Sequence, residues 1–107
     1  MIRAVICDDE DAALKIITYS IENQGIPIEI VGTASDGKEA LALIKKENPN
    51  LVFLDIEMPG MSGIDFLKQL LPVHPIPVIL VSSLNLRVFD ALEAGAVDFV
   101  RKPDEAN

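Results

Sequence analysis

The chain has 107 residues, half of them hydrophobic, so it can form one domain with a buried core. Its formal net charge of −8, without a cluster of lysine and arginine, argues against direct nucleic-acid binding. A single cysteine excludes a disulfide within the chain. The apolar runs of the sequence are too short for a signal peptide or a membrane span. We therefore expect one cytoplasmic domain over residues 1–107, without membrane attachment.

The first half of the chain predicts two strands and two helices. The apolar run Arg3–Cys7 predicts a strand that ends at an acidic cluster, residues 8–10. Apolar residues at helical spacing predict a helix over residues 11–23, and residues 28–32 alternate like an edge strand covered on one side. Asp36 and Glu39 have the spacing of a capping box, which opens a second helix that Asn48 and Pro49 close.

The segment Leu51–Asp55 is the centre of the pattern. Four consecutive apolar residues precede a carboxylate, which is typical of a strand buried on both faces. Open α/β sheets place their ligands at the carboxyl ends of such strands, so Asp55 is a candidate site residue.

The second half continues the alternation of strands and helices. Proline and glycine predict a loop over residues 56–63, and a helix carrying Phe66, Leu67, Leu70 and Leu71 follows it. A fourth strand over residues 78–81 ends on two serines, and a short helix then ends at Gly95. The fifth strand covers residues 97–100 and ends on Arg101-Lys102-Pro103.

This order predicts an α/β fold, a flavodoxin-like, doubly wound sheet of five parallel strands in the order 2-1-3-4-5. Its switch point lies between the first and third strands, where Asp8, Asp9 and Asp55 are expected to meet. Carboxylates so close together repel each other unless a cation neutralises them, and Mg²⁺ prefers oxygen ligands. With Ser82 and Lys102 on the same edge, the set suits phosphoryl transfer to a carboxylate.

Four segments resemble the receiver domain of bacterial two-component response regulators, and the resemblance covers essentially the whole chain. It implies a signal-transduction domain that takes a phosphoryl group from a sensor histidine kinase and switches an output domain or a downstream protein. Such a domain assists its own phosphorylation and dephosphorylation but is not a separate enzyme. The segments are Ile6-Cys7-Asp8-Asp9-Glu10, residues 54–63 from Leu54 to Gly63, Val81-Ser82-Ser83, and residues 95–103 from Gly95 to Pro103.

The resemblance also implies a role for individual residues. Asp55 would be the phospho-acceptor, and Lys102 would pair with the phosphoryl oxygens. Ser82 would move its hydroxyl to the phosphoryl group while Phe99 turns inward as a packing switch. Mg²⁺ would be held by four ligands, which are Asp8, Asp9, Asp55 and the backbone carbonyl of Glu57.

Within the family, residues 81–84 and 95–100 are most similar to receivers of chemotaxis methylesterases. We expect no methylesterase catalytic domain in these residues, and Gly60-Met61-Ser62-Gly63 does not match a nucleophile elbow because Ile64 stands where the last glycine belongs. We also expect the family's fifth helix, which would follow Lys102-Pro103, to be missing from these residues. We expect the chain to continue in a longer protein, or a homodimer to cover the exposed sheet face.

Two alternatives stay open, and a third is rejected. A protein interaction module that has lost phosphorylation would keep the fold, although the complete set of site residues argues against it. A metal-dependent phosphatase using Asp55 and Glu57 would need a substrate pocket and a cap that a short chain cannot build. A flavodoxin-type cofactor role is disfavoured because Asp8-Asp9-Glu10 would repel a phosphate at that position.

Overall fold

The computed structural model describes residues 1–8, 10–55, 63–82 and 92–101. Strands and helices alternate through most of these ranges, as the sequence predicts. The two elements that flank the predicted site, α1 and β3, have the predicted bounds. The elements are β1 (Ile2–Cys7), α1 (Asp11–Asn23), β2 (Ile28–Ala34), α2 (Gly37–Glu47), β3 (Leu51–Asp55), α3 (Gly63–Leu70), β4 (Val78–Ser82) and β5 (Asp98–Arg101).

The five strands form one parallel sheet in the order β2-β1-β3-β4-β5. The predicted topology is therefore confirmed. Strand β2 runs two residues further than its alternating pattern indicates, because Thr33 and Ala34 continue to pair with Ile6 and Cys7 of β1. The register of this pair shifts by one residue between Ala4 and Val5, where β2 passes from Ile30 to Gly32, and β2 is an edge strand as predicted.

Helix α2 has the two caps that its sequence predicts. The side chain of Asp36 accepts a hydrogen bond from the backbone N–H of Glu39 at 2.8 Å, which satisfies one of the unpaired donors of the first turn. At the other end, Asn48 adopts the left-handed conformation, with φ 47°, and its N–H donates to the carbonyl of Ile44 at 2.9 Å. Both ends of the helix are thus determined by local interactions.

Side chains of β3 alternate between two parts of the core. Val52 and Leu54 belong to the larger cluster, which includes the buried faces of α2 and α3. Leu51 and Phe53 belong to the smaller cluster, which includes Ile21 of α1. Asp55 follows the alternation of Leu51 and Phe53, so it lies on the side of the sheet that α1 covers.

Several predictions fall outside the described residues. They are residues 56–62 of the predicted loop, most of the short helix before Gly95, and the chain after Arg101, including the predicted absence of a fifth helix. Gly63, the last residue of the predicted loop, begins α3 instead. The homodimer also stays a prediction. Within the described ranges, none of the helices combines the length and apolarity that crossing a bilayer requires.

Candidate functional site

Two buried carboxylates meet where β1 and β3 end. Cys7 pairs with Leu54, so continuing the register by one residue brings Asp8 beside Asp55. Both side chains are almost completely buried, with exposures of 1% for Asp8 and 4% for Asp55. Buried carboxylates are rare unless other groups compensate their charge, which marks this edge of the sheet as a functional site.

Asp8 also shapes the chain that leaves the sheet. Its backbone N–H donates to the carbonyl of Ala34 at 2.9 Å, which ties this residue to the end of β2. Its Oδ1 accepts a hydrogen bond from the backbone N–H of Glu10 at 2.9 Å. This is the geometry of an Asx turn, and it directs the chain from β1 into α1.

The turn brings a third carboxylate to the site. One carboxylate oxygen each of Asp8, Glu10 and Asp55 lies within 4.8 Å of the other two. Glu10 is exposed, whereas the two aspartates are buried. The cluster therefore has two carboxylates on the floor of the site and one at its border with solvent.

This set of donors fits a hard divalent cation. All three residues offer carboxylate oxygens, which are the ligands that Mg²⁺ prefers, and Mg²⁺ needs only one or two of them with water and phosphate oxygens. Three negative charges at this spacing also repel one another, and a cation between them would reverse that contribution. The chemistry of the cluster is thus consistent with the predicted magnesium site.

The structure brings only some of the predicted site residues together. Asp8 and Asp55 meet as expected, but Asp9, Glu57 and Lys102 lie outside the described residues. Ser82 ends β4, one residue beyond Val81, which pairs with Asp55, and Ser82 itself pairs with Arg101. The carboxyl ends of β3, β4 and β5 therefore share one edge of the sheet.

Phe99, the predicted packing switch, lies in β5, where its backbone pairs with Leu80 of β4. Its position is two residues before Arg101, which pairs with Ser82, so the two predicted switch residues are on neighbouring strands. The structure describes the backbone of both residues, and their roles stay predictions.

Glu10 is the site residue that sequence reasoning placed in the acidic cluster but did not assign to the metal. The metal was assigned instead to its neighbour Asp9, from the expected meeting of Asp8, Asp9 and Asp55 at the switch point and from the family resemblance. The sequence offers one signal, an acidic residue two positions after Asp8. In an Asx turn, the backbone N–H of that position donates to the aspartate side chain. That signal does not predict the direction of the Glu10 side chain.

Cys7 immediately precedes the cluster and is buried. Burial, together with the negative charges of Asp8 and Glu39, raises the pKa of its thiol from 9.0 to about 12. The thiol is therefore protonated and unreactive at neutral pH, and Cys7 serves as a small apolar residue of the core.

Comparison with known proteins identifies the family. The family model of the response regulator receiver domain matches residues 4–107. A protein-glutamate methylesterase/protein-glutamine glutaminase of Syntrophomonas wolfei is 46% identical over 103 residues, which are 96% of this chain and 30% of that protein. A homologue with the same description from Cupriavidus metallidurans is 47% identical, over 92% of this chain and 29% of that protein. The chain thus spans less than a third of the length of these relatives.

Solved structures agree with the sequence comparison. The response regulator domain of Thermotoga maritima CheB superposes with a TM-score of 0.83 and 36% identity, over 96% of this chain and 79% of that one. The CheX-CheY-BeF3-Mg+2 complex from Borrelia burgdorferi superposes with a TM-score of 0.84 and 34% identity, over 97% of this chain and 80% of that one. The chain therefore belongs to the response regulator receiver domain family and has a phospho-acceptor role in signal transduction.

Proposed function

We propose that Asp55 is the phospho-acceptor and that its phosphoryl donor is a phosphohistidine of a sensor histidine kinase. The observation that carries this proposal is the position of Asp55, a buried carboxylate at the carboxyl end of the central strand, inside the three-carboxylate cluster. It is the one member of the cluster that lies on β3, at the switch point where sheets of this topology place their chemistry.

The proposed reaction is a transfer between two nucleophiles. An oxygen of Asp55 attacks the phosphorus of the phosphohistidine, the P–N bond breaks, and its electron pair stays with the imidazole of the kinase. The product is an acyl phosphate on Asp55, which hydrolysis later returns to the carboxylate and inorganic phosphate. Because little covalent chemistry is required of the protein, its contribution is position and charge.

We assign the cation site to Asp8 and Asp55, with Asp9 and the backbone carbonyl of Glu57 as further ligands. A bound Mg²⁺ would supply positive charge to the oxygens of the transferred group. The Borrelia burgdorferi complex, which contains both Mg²⁺ and BeF3, supports this assignment by its similarity to the chain. Asp8 has a second role, since its hydrogen bond with Glu10 holds the turn in place.

Three more residues are assigned to the switch and to charge stabilisation. Lys102 would pair with the phosphoryl oxygens, and Ser82 would donate its hydroxyl to them. Phe99 would fill the space that Ser82 leaves. The support is the strand register, because Ser82 pairs with Arg101, the residue before Lys102 in the sequence, and the ends of β4 and β5 at Ser82 and Arg101 share the edge of the sheet where Asp55 ends β3.

The output of this receiver is proposed to be a methylesterase domain. Relatives with that description are 46% and 47% identical to the chain, and the similarity includes the response regulator domain of Thermotoga maritima CheB. The test measures the methylesterase activity of the part of the Syntrophomonas wolfei relative that the match does not cover, with and without the phosphorylated chain. A cytoplasmic location stays a prediction of the sequence.

The phospho-acceptor is tested by intact-mass spectrometry after incubation with Mg²⁺ and acetyl phosphate. The parent protein should gain one phosphoryl group, and Asp55→Asn should gain none, because an amide cannot form the acyl phosphate. Asp65→Asn is the matched control, since it removes an exposed carboxylate from α3 and should gain the group like the parent.

Two results would contradict the proposal. Phosphorylation of Asp55→Asn at the parent level would place the acceptor elsewhere. If neither the parent nor Asp65→Asn gained mass while both bound Mg²⁺, the alternative of a non-phosphorylated interaction module would become the better description.

A further inference from the structure

Glu10 lies at the proposed cation site, and the family resemblance assigns it no role. We infer that Glu10 is a cation-binding residue of this chain, which strengthens Mg²⁺ binding with a carboxylate beyond those of Asp8, Asp9 and Asp55. The inference rests on the proposed function, because it concerns the same site, and it adds a residue that determines how strongly the site depends on the cation.

The position of Glu10 is the first support. Its backbone N–H donates to Asp8 Oδ1 at 2.9 Å, so the residue is tied to one predicted ligand before its side chain is considered. Its carboxylate then lies within 4.8 Å of the carboxylates of both Asp8 and Asp55.

The difference in burial is the second support. Asp8 and Asp55 are buried, and Glu10 is exposed. A cation held by the two aspartates keeps some of its water molecules, since Mg²⁺ gives up its hydration reluctantly. Glu10 can accept hydrogen bonds from those waters or bind the ion itself, and either contact adds negative charge at the open side of the site.

Two consequences follow from the same charge. With the cation bound, Glu10 adds attraction, and affinities of oxygen-ligand sites increase with the number of charged ligands. Without the cation, Glu10 adds repulsion to two buried carboxylates and lowers the stability of the fold. Substituting this residue should therefore raise the stability of the cation-free protein and weaken its affinity for Mg²⁺.

The test compares three forms of the full chain, the parent, Glu10→Gln and Glu22→Gln. Glutamine keeps the size of Glu10 and the backbone N–H that bonds to Asp8, so the turn is preserved. Glu22 is an exposed residue of α1, and its substitution changes the net charge by the same amount away from the cluster. Mg²⁺ affinity is measured by isothermal titration calorimetry, and thermal stability is measured in chelator and in Mg²⁺.

The expected result is that Glu10→Gln binds Mg²⁺ about tenfold more weakly than the parent, in the range reported for residues that support a metal site. In chelator its melting temperature should be higher than that of the parent, and Mg²⁺ should raise it by less. Glu22→Gln should bind Mg²⁺ within about twofold of the parent, because exposed charges outside the site are screened by salt.

Equal Mg²⁺ affinity of the parent and Glu10→Gln would overturn the inference while leaving the proposed function intact. A parent protein that binds no Mg²⁺ would overturn both, because the cation site itself would then be wrong. Equal weakening by Glu10→Gln and Glu22→Gln would also contradict the inference, since net charge alone would explain it.

Discussion

The two ends of strands β1 and β3 are built on opposite principles. At the amino end, the backbone N–H of Arg3 donates to Asn50 Oδ1 at 3.0 Å, and the N–H of Asn50 donates to the carbonyl of Arg3 at 2.7 Å. The Arg3 guanidinium also donates to the carbonyl of Glu47 at 2.7 Å. At the carboxyl end, the same two strands bring three carboxylates within 4.8 Å of one another.

The difference shows how one sheet serves stability and chemistry at once. Reciprocal hydrogen bonds at the amino end connect β1 to the start of β3 and to the last turn of α2, where helix carbonyls need donors. Like charges at the carboxyl end oppose folding, and the surrounding core must offset that repulsion. Substitutions at the amino end should therefore lower stability, whereas those that remove a carboxylate at the carboxyl end should weaken cation binding and raise the stability of the cation-free protein.

The largest expected effect concerns Cys7, which lies next to the carboxyl end. With a pKa of about 12 instead of 9.0, its thiolate fraction at pH 8 is roughly a thousandfold lower than that of an ordinary thiol. Iodoacetamide should therefore leave the native protein unmodified under conditions that alkylate the protein unfolded in urea. Alkylation of the native protein at the rate of the unfolded chain would contradict the predicted burial and charge.

The same pKa gives a stability prediction with a definite sign. Folding favours the protonated thiol, so this contribution is fully present below pH 9.0 and is lost as the pH rises toward about 12. The free energy of unfolding, measured in urea, should fall more steeply with pH over that window than in a Cys7→Ala variant. Parallel pH profiles of the two proteins would show that Cys7 does not cause the loss.

The second-largest expected effect is that of substituting Asp8. Asp8→Asn removes one buried negative charge and leaves an oxygen that can still accept the hydrogen bond of Glu10. We expect at least about tenfold weaker Mg²⁺ binding and, in chelator, a higher melting temperature than the parent. Isothermal titration calorimetry measures the Mg²⁺ affinity, and thermal unfolding in chelator measures the melting temperature.

The matched control for Asp8→Asn is Asp65→Asn, which removes an exposed carboxylate from the first turn of α3. It should bind Mg²⁺ like the parent. A lower melting temperature for Asp8→Asn in chelator would break the comparison, because it would show that the carboxyl end contributes to stability without its cation.

The smallest expected effect is at the amino end. Arg3→Met keeps the aliphatic part of the side chain and removes the hydrogen bond with the Glu47 carbonyl. The half-exposed ion pair with Glu47, at 3.7 Å, contributes little. The free energy of unfolding in urea should fall by about 1 kcal/mol, and Mg²⁺ affinity should not change. Weaker Mg²⁺ binding in this variant would show that the two ends are coupled.

Much of the fold could be predicted because its signals are local. The run Leu51–Asp55 predicts a buried strand from composition alone, and Asp36 and Asn48 predict the ends of α2 because each cap uses neighbouring atoms. Parallel pairing followed from the helical connections, and the strand order followed from the acidic residues that its switch point would bring together. Asp8 and Asp55 could be paired in advance, since both follow strands that the topology places side by side.

What the sequence by itself determined is thus the set of elements, their order in the sheet and the edge that carries the site. The tertiary structure alone decided three things, which are the place of Glu10 in the cluster, the extension of β2 to Ala34, and the network of Arg3, Glu47 and Asn50. Each depends on side-chain direction or strand register between segments far apart in the chain or across a turn. Local propensity carries no information on such contacts, because packing selects them only after the sheet has formed.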